Sequence, residues 1–435
     1  MSNQRWKHRP EGSNWGDYGE NDQLGRLNLI TAEKVFQGIA EVRDGKTFCL
    51  SLPLDLPGGC ALNPNRHPPV LRPTLRQGGV NFNFHMSNQR WKHRPEGSNW
   101  GDFGKDDQLG RLNLITAEKV LQGIAEVRDG KTFCLSLPLD LPGGCALNPN
   151  RHPPVLRPTL RQGGVNFNFH MGNLQAGRPD VLCDDLAILH LQYSTQWDSL
   201  AHVGALFDVD GNGVPKPVYY NGYAADEHIR GPQHPDDAGV QERMRPESTS
   251  QAGALGIERM AETGVQGRAA LIDLHAHLGP ARTLVGYDSL MRVLEADRVE
   301  IERGDIVCLH TGFADAILAM GGQPDPNTLT DSCSVLDGRD ERLLQWITDC
   351  ELAAIAADNY AVEAYPAAGG DACCAALPLH QHCLFKLGVH LGELWHLGPL
   401  AAYLRRQGRY RFFLTAPPLR LPGAVGSPLT PVATV

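Results

Sequence analysis

Residues 270–279, ALIDLHAHLG, and residues 304–312, GDIVCLHTG, decide the fold class between them. The first reads as a buried strand that ends in polar residues, Asp273 to His277. The second is launched by a Gly-Asp turn and runs into another apolar strand. A helix near residues 288–297 separates them. Strand, helix and strand in succession make α/β the natural class.

The alternation continues in both directions. Downstream, ERLLQWITDCE (341–351) is helical, and ELAAIAADN (351–359) is a helix or a strand. LPLHQHCLFKLGVHLGELWHLGPLAAYL (377–404) is mostly helical, and RYRFFLTAPPLRLPGAVGSP (409–428) is a strand with a closing loop. Upstream, a helix spans about 253–263, a polar stretch covers 226–250, and Val181 to His202 is strand-like. Residues 140–172 are rich in Pro, Gly and Asn and read as a long surface loop. In KTFCLSLPLDL (131–141), Phe133, Leu135 and Leu137 alternate as in a half-buried strand. Thr116 can cap a helix through about Arg128, with Val120, Leu121, Ile124 and Val127 on one face and Gly130 as the stop.

The N-terminal part is written twice. Residues 1–85 recur as 86–170, beginning again at Met86, with four differences: Tyr18/Phe103, Glu20/Lys105, Asn21/Asp106 and Phe36/Leu121. Stacked repeats need about three units to bury a continuous core. Two copies followed by unrelated sequence therefore read as a tandem duplication or a fault of gene assembly. Residues 1–85 are expected to be surplus, loosely attached or exchanging with the second copy by domain swapping. Residues 86–435 are expected to form the domain.

Composition excludes several classes. The 435 residues carry a net charge of −9, and with the first copy at +2 the remainder is near −11. No run of Lys or Arg offers a phosphate-binding surface, so nucleic acid is not an expected partner. No stretch approaches the length of a membrane span, and MSNQRWKHRPEG lacks an apolar signal region. There are 11 cysteines, two repeated pairs among them (Cys49/Cys134, Cys60/Cys145), and no CxxC. The adjacent Cys373 and Cys374 suit neither a disulfide nor one shared ion. Buried thiols in a reducing compartment, the cytoplasm, are the expectation. GxGxxG after a strand, the P-loop and GxSxG are all missing.

Four clusters carry polar chemistry. In QYSTQWDSLAHVG (192–204), Asp198 and His202 stand four apart, with Gln192 and Gln196 beside them. On a helix or turn this pair can hold an ion, or it is simply exposed. In LHQHCLFKLGVHLGE, His380 and His382 would share a face of a strand, and His390 and Glu393 a face of a helix. Asp208–Gly213 spells the opening of a calcium loop, but Tyr219 stands where the bidentate Glu is needed, so it reads as a turn. Asp273–His277 suggests a metal-binding barrel strand, but the roughly 160 residues that follow cannot complete a barrel. Polar residues at a strand end are the reading.

In order and spacing, NWGDFGKDDQLGRLN, GKTFCLSLPLDLP, STQWDSLAHVG, YYNGY, GDIVCLHTGF, AADNYAVEAYP, LPLHQHCLFKLGVHLGELW and APPLRLPGAVGSPLTPVA together resemble the cyclase family, which includes bacterial kynurenine formamidase and isatin hydrolase. The resemblance spans residues 95–435. It implies a compact swivelling β/α domain, assembled as a homodimer or homotetramer, acting on a small-molecule substrate. The family signature H-x-G-T-H-x-D-x-x-x-H falls on Gln192, Ser194, Thr195, Gln196, Asp198 and His202, so both leading histidines are glutamine. His190 lies two residues early and could substitute only if the strand were shifted. The resemblance further implies a metal site of Asp198, His380 and Glu393, with His382 as the alternative to His380, suited to Zn²⁺ or Mn²⁺. His202 would move the proton, and Gln196 would orient water or substrate. Trp197, Tyr219 and Tyr220 are either walls for an aromatic substrate or ordinary core aromatics.

The expected function is metal-dependent hydrolysis of a small cyclic or aryl amide or ester. The competing readings are a non-catalytic binding protein and a metal-free acid–base cyclase or lyase using His202 and Glu393.

Overall fold

The computed structural model describes residues 5–57, 66–72, 90–234, 237–239, 249–367, 369 and 374–435. Met86, Cys60, Cys373 and part of the 226–250 stretch lie outside them. Nine strands form one sheet: Thr132–Cys134 (β1), Gln196–Asp198 (β2), Gln266–Asp273 (β3), Ile306–His310 (β4), Ala354–Ala357 (β5), His390–Glu393 (β6), Arg411–Thr415 (β7), Gly426–Pro428 (β8) and Val432–Thr434 (β9). Their order is β1-β9-β7-β3-β4-β5-β6-β2-β8. The central β3, β4, β5 and β6 are parallel, and the flanking pairs are antiparallel.

Parallel neighbours need crossover connections, and helices supply them. The helices that matter are Ala117–Ile124 (α1), Ile257–Thr263 (α2), Tyr287–Asp297 (α3), Glu341–Asp349 (α4), Pro378–His380 (α5, continuing as a π-helix over Gln381–Leu387) and Gly398–Arg406 (α6). The expected cap holds: the Thr116 hydroxyl accepts from Lys119 N–H at the start of α1. Each face of the sheet is covered. On one, Ile272, Val307, Leu309, Ile355 and Leu391 pack against Leu290 and Leu294 of α3, Leu343 and Ile347 of α4, and Leu379 and Leu384. On the other, Ala269, Leu271, Cys308 and Ala356 pack against Ile257 and Met260 of α2 and Leu400 and Leu404 of α6. Strands buried on both faces explain why ALI and IVCL are apolar without alternation. Cys308, Cys333 and Cys383 are buried thiols as expected, but Cys134, Cys183 and Cys374 are exposed, and no disulfide joins the described cysteines. No described helix is long and apolar enough to cross a membrane.

Three segments differ from expectation. Residues 354–357, open between helix and strand, are the central β5. Residues 390–393, expected to be helical, are β6. The helical run stops at Gly388, whose φ of +68° suits glycine, and a Cβ there would come 2.6 Å from Gly110 Cα. Tight tertiary packing, not local propensity, ends the helix. Within 140–172, Val155–Pro158 pairs with Asp185–Ile188 and Leu160–Arg161 with Gly164–Val165, an exposed excursion rather than a featureless loop.

The two copies of the repeat have different surroundings. In the second, Trp100, Leu112, Leu114, Leu135 and Leu137 are core, and β1 joins the sheet. Their counterparts Trp15, Leu27, Leu29, Leu50 and Leu52 are exposed, with Leu50 at 96% against 0% for Leu135. The helix Ala32–Ala40 repeats α1 but buries nothing. The first copy meets the domain through Leu54 N–H to the Arg420 carbonyl, the Thr47 hydroxyl to the Thr263 carbonyl and the Arg420 guanidinium to the Ser51 carbonyl, each 2.9 Å, through an Arg66–Asp184 ion pair, and through Leu71 against the core.

Candidate metal centre

β2 and β6 run antiparallel, with Asp198 opposite Leu391 and Gln196 opposite Glu393. Side chains alternate across a strand, so Gln196, Asp198 and Glu393 project to one face and Trp197 to the other. The Thr195 hydroxyl fixes this edge, donating to the Leu394 carbonyl (2.6 Å) while accepting from Leu137 N–H (2.9 Å). α5 lies over the same face and lowers His380 onto the carboxylates.

His380 Nε2 is 3.3 Å from Glu393 Oε1 and 4.0 Å from Asp198 Oδ2. All three residues are buried, and their ligand atoms lie within 4.8 Å of one another. The other ring nitrogen, Nδ1, is 2.8 Å from Glu363 Oε1, and Glu363 also accepts from His380 N–H and Leu379 N–H. Glu363 therefore fixes the imidazole so that Nε2 faces the carboxylates, the usual arrangement behind a metal-ligating histidine. Sequence reasoning missed Glu363. Its signal was a lone acid within the apolar run AVEA (361–364).

Electrostatics within the cluster are strained. Burial and the charge of Glu393 push the Asp198 carboxyl up to about 8. Burial works against the charge on His380, but the bonds to Glu363 and Glu393 outweigh it and raise the imidazole to about 10. Burial likewise opposes the Glu393 charge, yet His380 holds that carboxyl below its usual range. Two carboxylates in a dry site repel unless a positive charge lies between them. Asp198 Oδ2 is also buried without a hydrogen-bond partner among the described residues. Two acids, one oriented imidazole and an orphaned carboxylate oxygen fit one divalent cation.

Gln196 takes a different part from an imidazole ligand. Its amide nitrogen donates to Glu393 Oε2 (3.2 Å) and Asp198 Oδ1 (3.4 Å), because an amide oxygen there would face two acceptors. Its own oxygen is buried and without a partner among the described residues. His202 Nε2 stands 3.8 Å from Asp198 Oδ1 at the less buried side of the cluster.

The remaining candidates fall elsewhere. His382, two residues along a helix rather than a strand, turns away to the Thr348 hydroxyl at 2.9 Å. His390 lies three residues before Glu393 on a strand, hence on the opposite face, so the expected shared helical face does not exist. His190 stacks on His152, ring centroids 5.2 Å apart. Trp197 is a core residue: its indole N–H donates to the Ala416 carbonyl and its ring meets Trp395 across Gly392. Tyr220 is fully buried, with its hydroxyl on the Asp107 carboxylate, and Tyr219 packs against the same core. Asp208 accepts from Asn212 and Gly213 N–H and forms a turn. Asp273 ends β3 and is bonded by His310 and Arg405 in an ion-pair network.

The cyclase family model matches residues 150–364. The crystal structure of a novel cyclase aligns with a TM-score of 0.59 and 32% identity, over 78% of this chain and 97% of that one. Isatin hydrolase A from Ralstonia solanacearum aligns at 0.43 and 14%, over 70% of this chain and 91% of that one. No curated protein matches.

Proposed function

Because the chain belongs to the cyclase family, we propose that it is a divalent-metal-dependent hydrolase of a small cyclic or aryl amide or ester. The observation that carries this reading is the buried Asp198–His380–Glu393 cluster, which fits one cation. Asp198, His380 and Glu393 would hold Zn²⁺ or Mn²⁺, and Glu363 would orient His380. When bound, such an ion makes water acidic enough to supply hydroxide at neutral pH and polarises a carbonyl. His202 carries a proton from the attacking water to the leaving nitrogen or oxygen, a task suited to an imidazole. The free Gln196 oxygen accepts a hydrogen bond from water or a substrate N–H. The dry setting strengthens each of these interactions.

One observation favours a second reading. The Gln196 amide already bridges both acids, an arrangement that also suits a metal-free acid–base enzyme or a binding protein on the same fold. Metal content by mass spectrometry separates them. About one Zn²⁺ or Mn²⁺ per chain, lost on the double change Asp198→Ala and Glu393→Ala, supports the hydrolase. No metal in the unaltered protein after incubation with either ion would sink it.

A further inference from the structure

The loop over residues 143–152 brings a thiol onto an imidazole: Cys145 Sγ lies 3.1 Å from His152 Nδ1. Both ends of this loop are fastened to the residues that lead into β2. The Tyr193 hydroxyl accepts from Gly143 N–H and donates to the Gly144 carbonyl, each at 3.0 Å. At the other end, Arg151 Nη1 donates to the Gln192 carbonyl at 2.6 Å. The His152 ring rests against that of His190, so both partners of the thiol–imidazole pair are held from behind. Cys145 is half-buried. It shares a small space with Asn148, Arg151 and Tyr360, among whose lining residues there is no acid. That space has room for about one water.

A thiol attacks as its thiolate, and an imidazole within hydrogen-bond reach takes the proton as it does so. A guanidinium on the same space favours the negative charge that develops on sulfur. Among the described residues, the exposed Cys134 and Cys183 meet instead the Ser136 carbonyl and the Asn168 side chain. We propose that Cys145 is a modification site for a small hydroperoxide, with His152 as its base. The sulfur attacks one peroxide oxygen, so that an S–O bond forms and the O–O bond breaks. Sulfur is oxidised from thiol to sulfenic acid and the peroxide is reduced. The thiol proton, received by His152, passes to the departing oxygen, which leaves as water or an alcohol. One oxygen atom is added, and the adjoining space accepts a group of that size. The pair lies outside the Asp198–His380–Glu393 cluster, and its chemistry needs no cation there.

The test is peptide mass spectrometry of the full chain treated with hydrogen peroxide in the presence of dimedone, which traps a sulfenic acid as a stable thioether. Trapping at Cys145 should be roughly tenfold or more faster than at Cys134 or Cys183, a modest share of what a placed base contributes. His152→Asn should remove most of that excess. In urea-unfolded protein the three thiols should react alike, because the loop no longer holds sulfur against imidazole. No trapping at Cys145, equal rates in the folded protein, or an excess that persists in urea would each overturn the proposal. So would an excess that survives His152→Asn in a protein of unchanged melting temperature. The urea comparison uses the unaltered chain, so it decides the matter even where the variant fails to fold.

Discussion

Leucines 50 and 135 occupy the same place in two near-identical stretches of one chain, yet one is exposed and the other has no accessible surface. Truncating each to alanine isolates burial from sequence. Leu135→Ala removes a fully buried side chain from the core it shares with Trp197, Ile257 and Trp395, and such changes cost about 2–5 kcal/mol. Leu50→Ala removes a side chain already in water, and surface changes of this kind stay within about 0.5 kcal/mol. The assay is urea denaturation, reading the shift in midpoint at constant slope. If the copies instead exchange freely, a chain with a damaged second copy would seat its first. Leu135→Ala would then cost only a few tenths of a kcal/mol, as expected when one of two equivalent states is lost. Equal, small effects for the two variants would refute the reasoning that residues 86–170 alone build the domain.

Two further outcomes follow from the geometry. Glu363→Gln removes the carboxylate that orients His380, so Zn²⁺ or Mn²⁺ affinity should fall roughly 10–100-fold. Equilibrium dialysis measures this, and unchanged affinity would exclude Glu363 from the site. Away from it, burial opposes the charge on His310, but Asp273 and Asp315 outweigh burial and raise the imidazole to about 10. Asp273 is held down to about 2, burial being outweighed by His310 and Arg405. A raised histidine stabilises fully below its ordinary value of 6.5 and loses that contribution as pH rises through 10. A depressed aspartate stabilises above its ordinary 3.8 and loses that contribution as pH falls through 2. The stability advantage over His310→Gln should thus be greatest near pH 4–6.5, on the order of 2 kcal/mol. It should shrink steadily towards pH 10. A difference that stays constant over that range would refute the pairing.

How much was legible depended on what each residue's neighbours are. β3 and β4 could be read because strands buried on both faces keep continuous apolar runs. β6 could not, because HLGE carries no strand signal, and its place between β5 and β2 decides its conformation. The ligand trio came from the resemblance and not from spacing, since its members are drawn from two strands and a helix far apart in the chain. Trp197 illustrates period two: flanked by Gln196 and Asp198 at the cluster, it has to point into the opposite core. Glu363 stands inside AADNYAVEAYP, but only the folded chain brings it behind His380.

The repeat has a consequence for the chain's future. Selection acts on a residue through what its loss would damage, and here the same letters stand once under that constraint and once almost free of it. Asp106 already pairs with Arg90 at 3.0 Å, while Asn21 at the matching place only accepts from Arg5. Substitutions that would empty the core around Trp100 or Leu135 are nearly neutral at Trp15 or Leu50. Drift should therefore erase the ancestral pattern from residues 5–57 first. The surviving pattern in 90–142 would then record which positions the fold cannot do without.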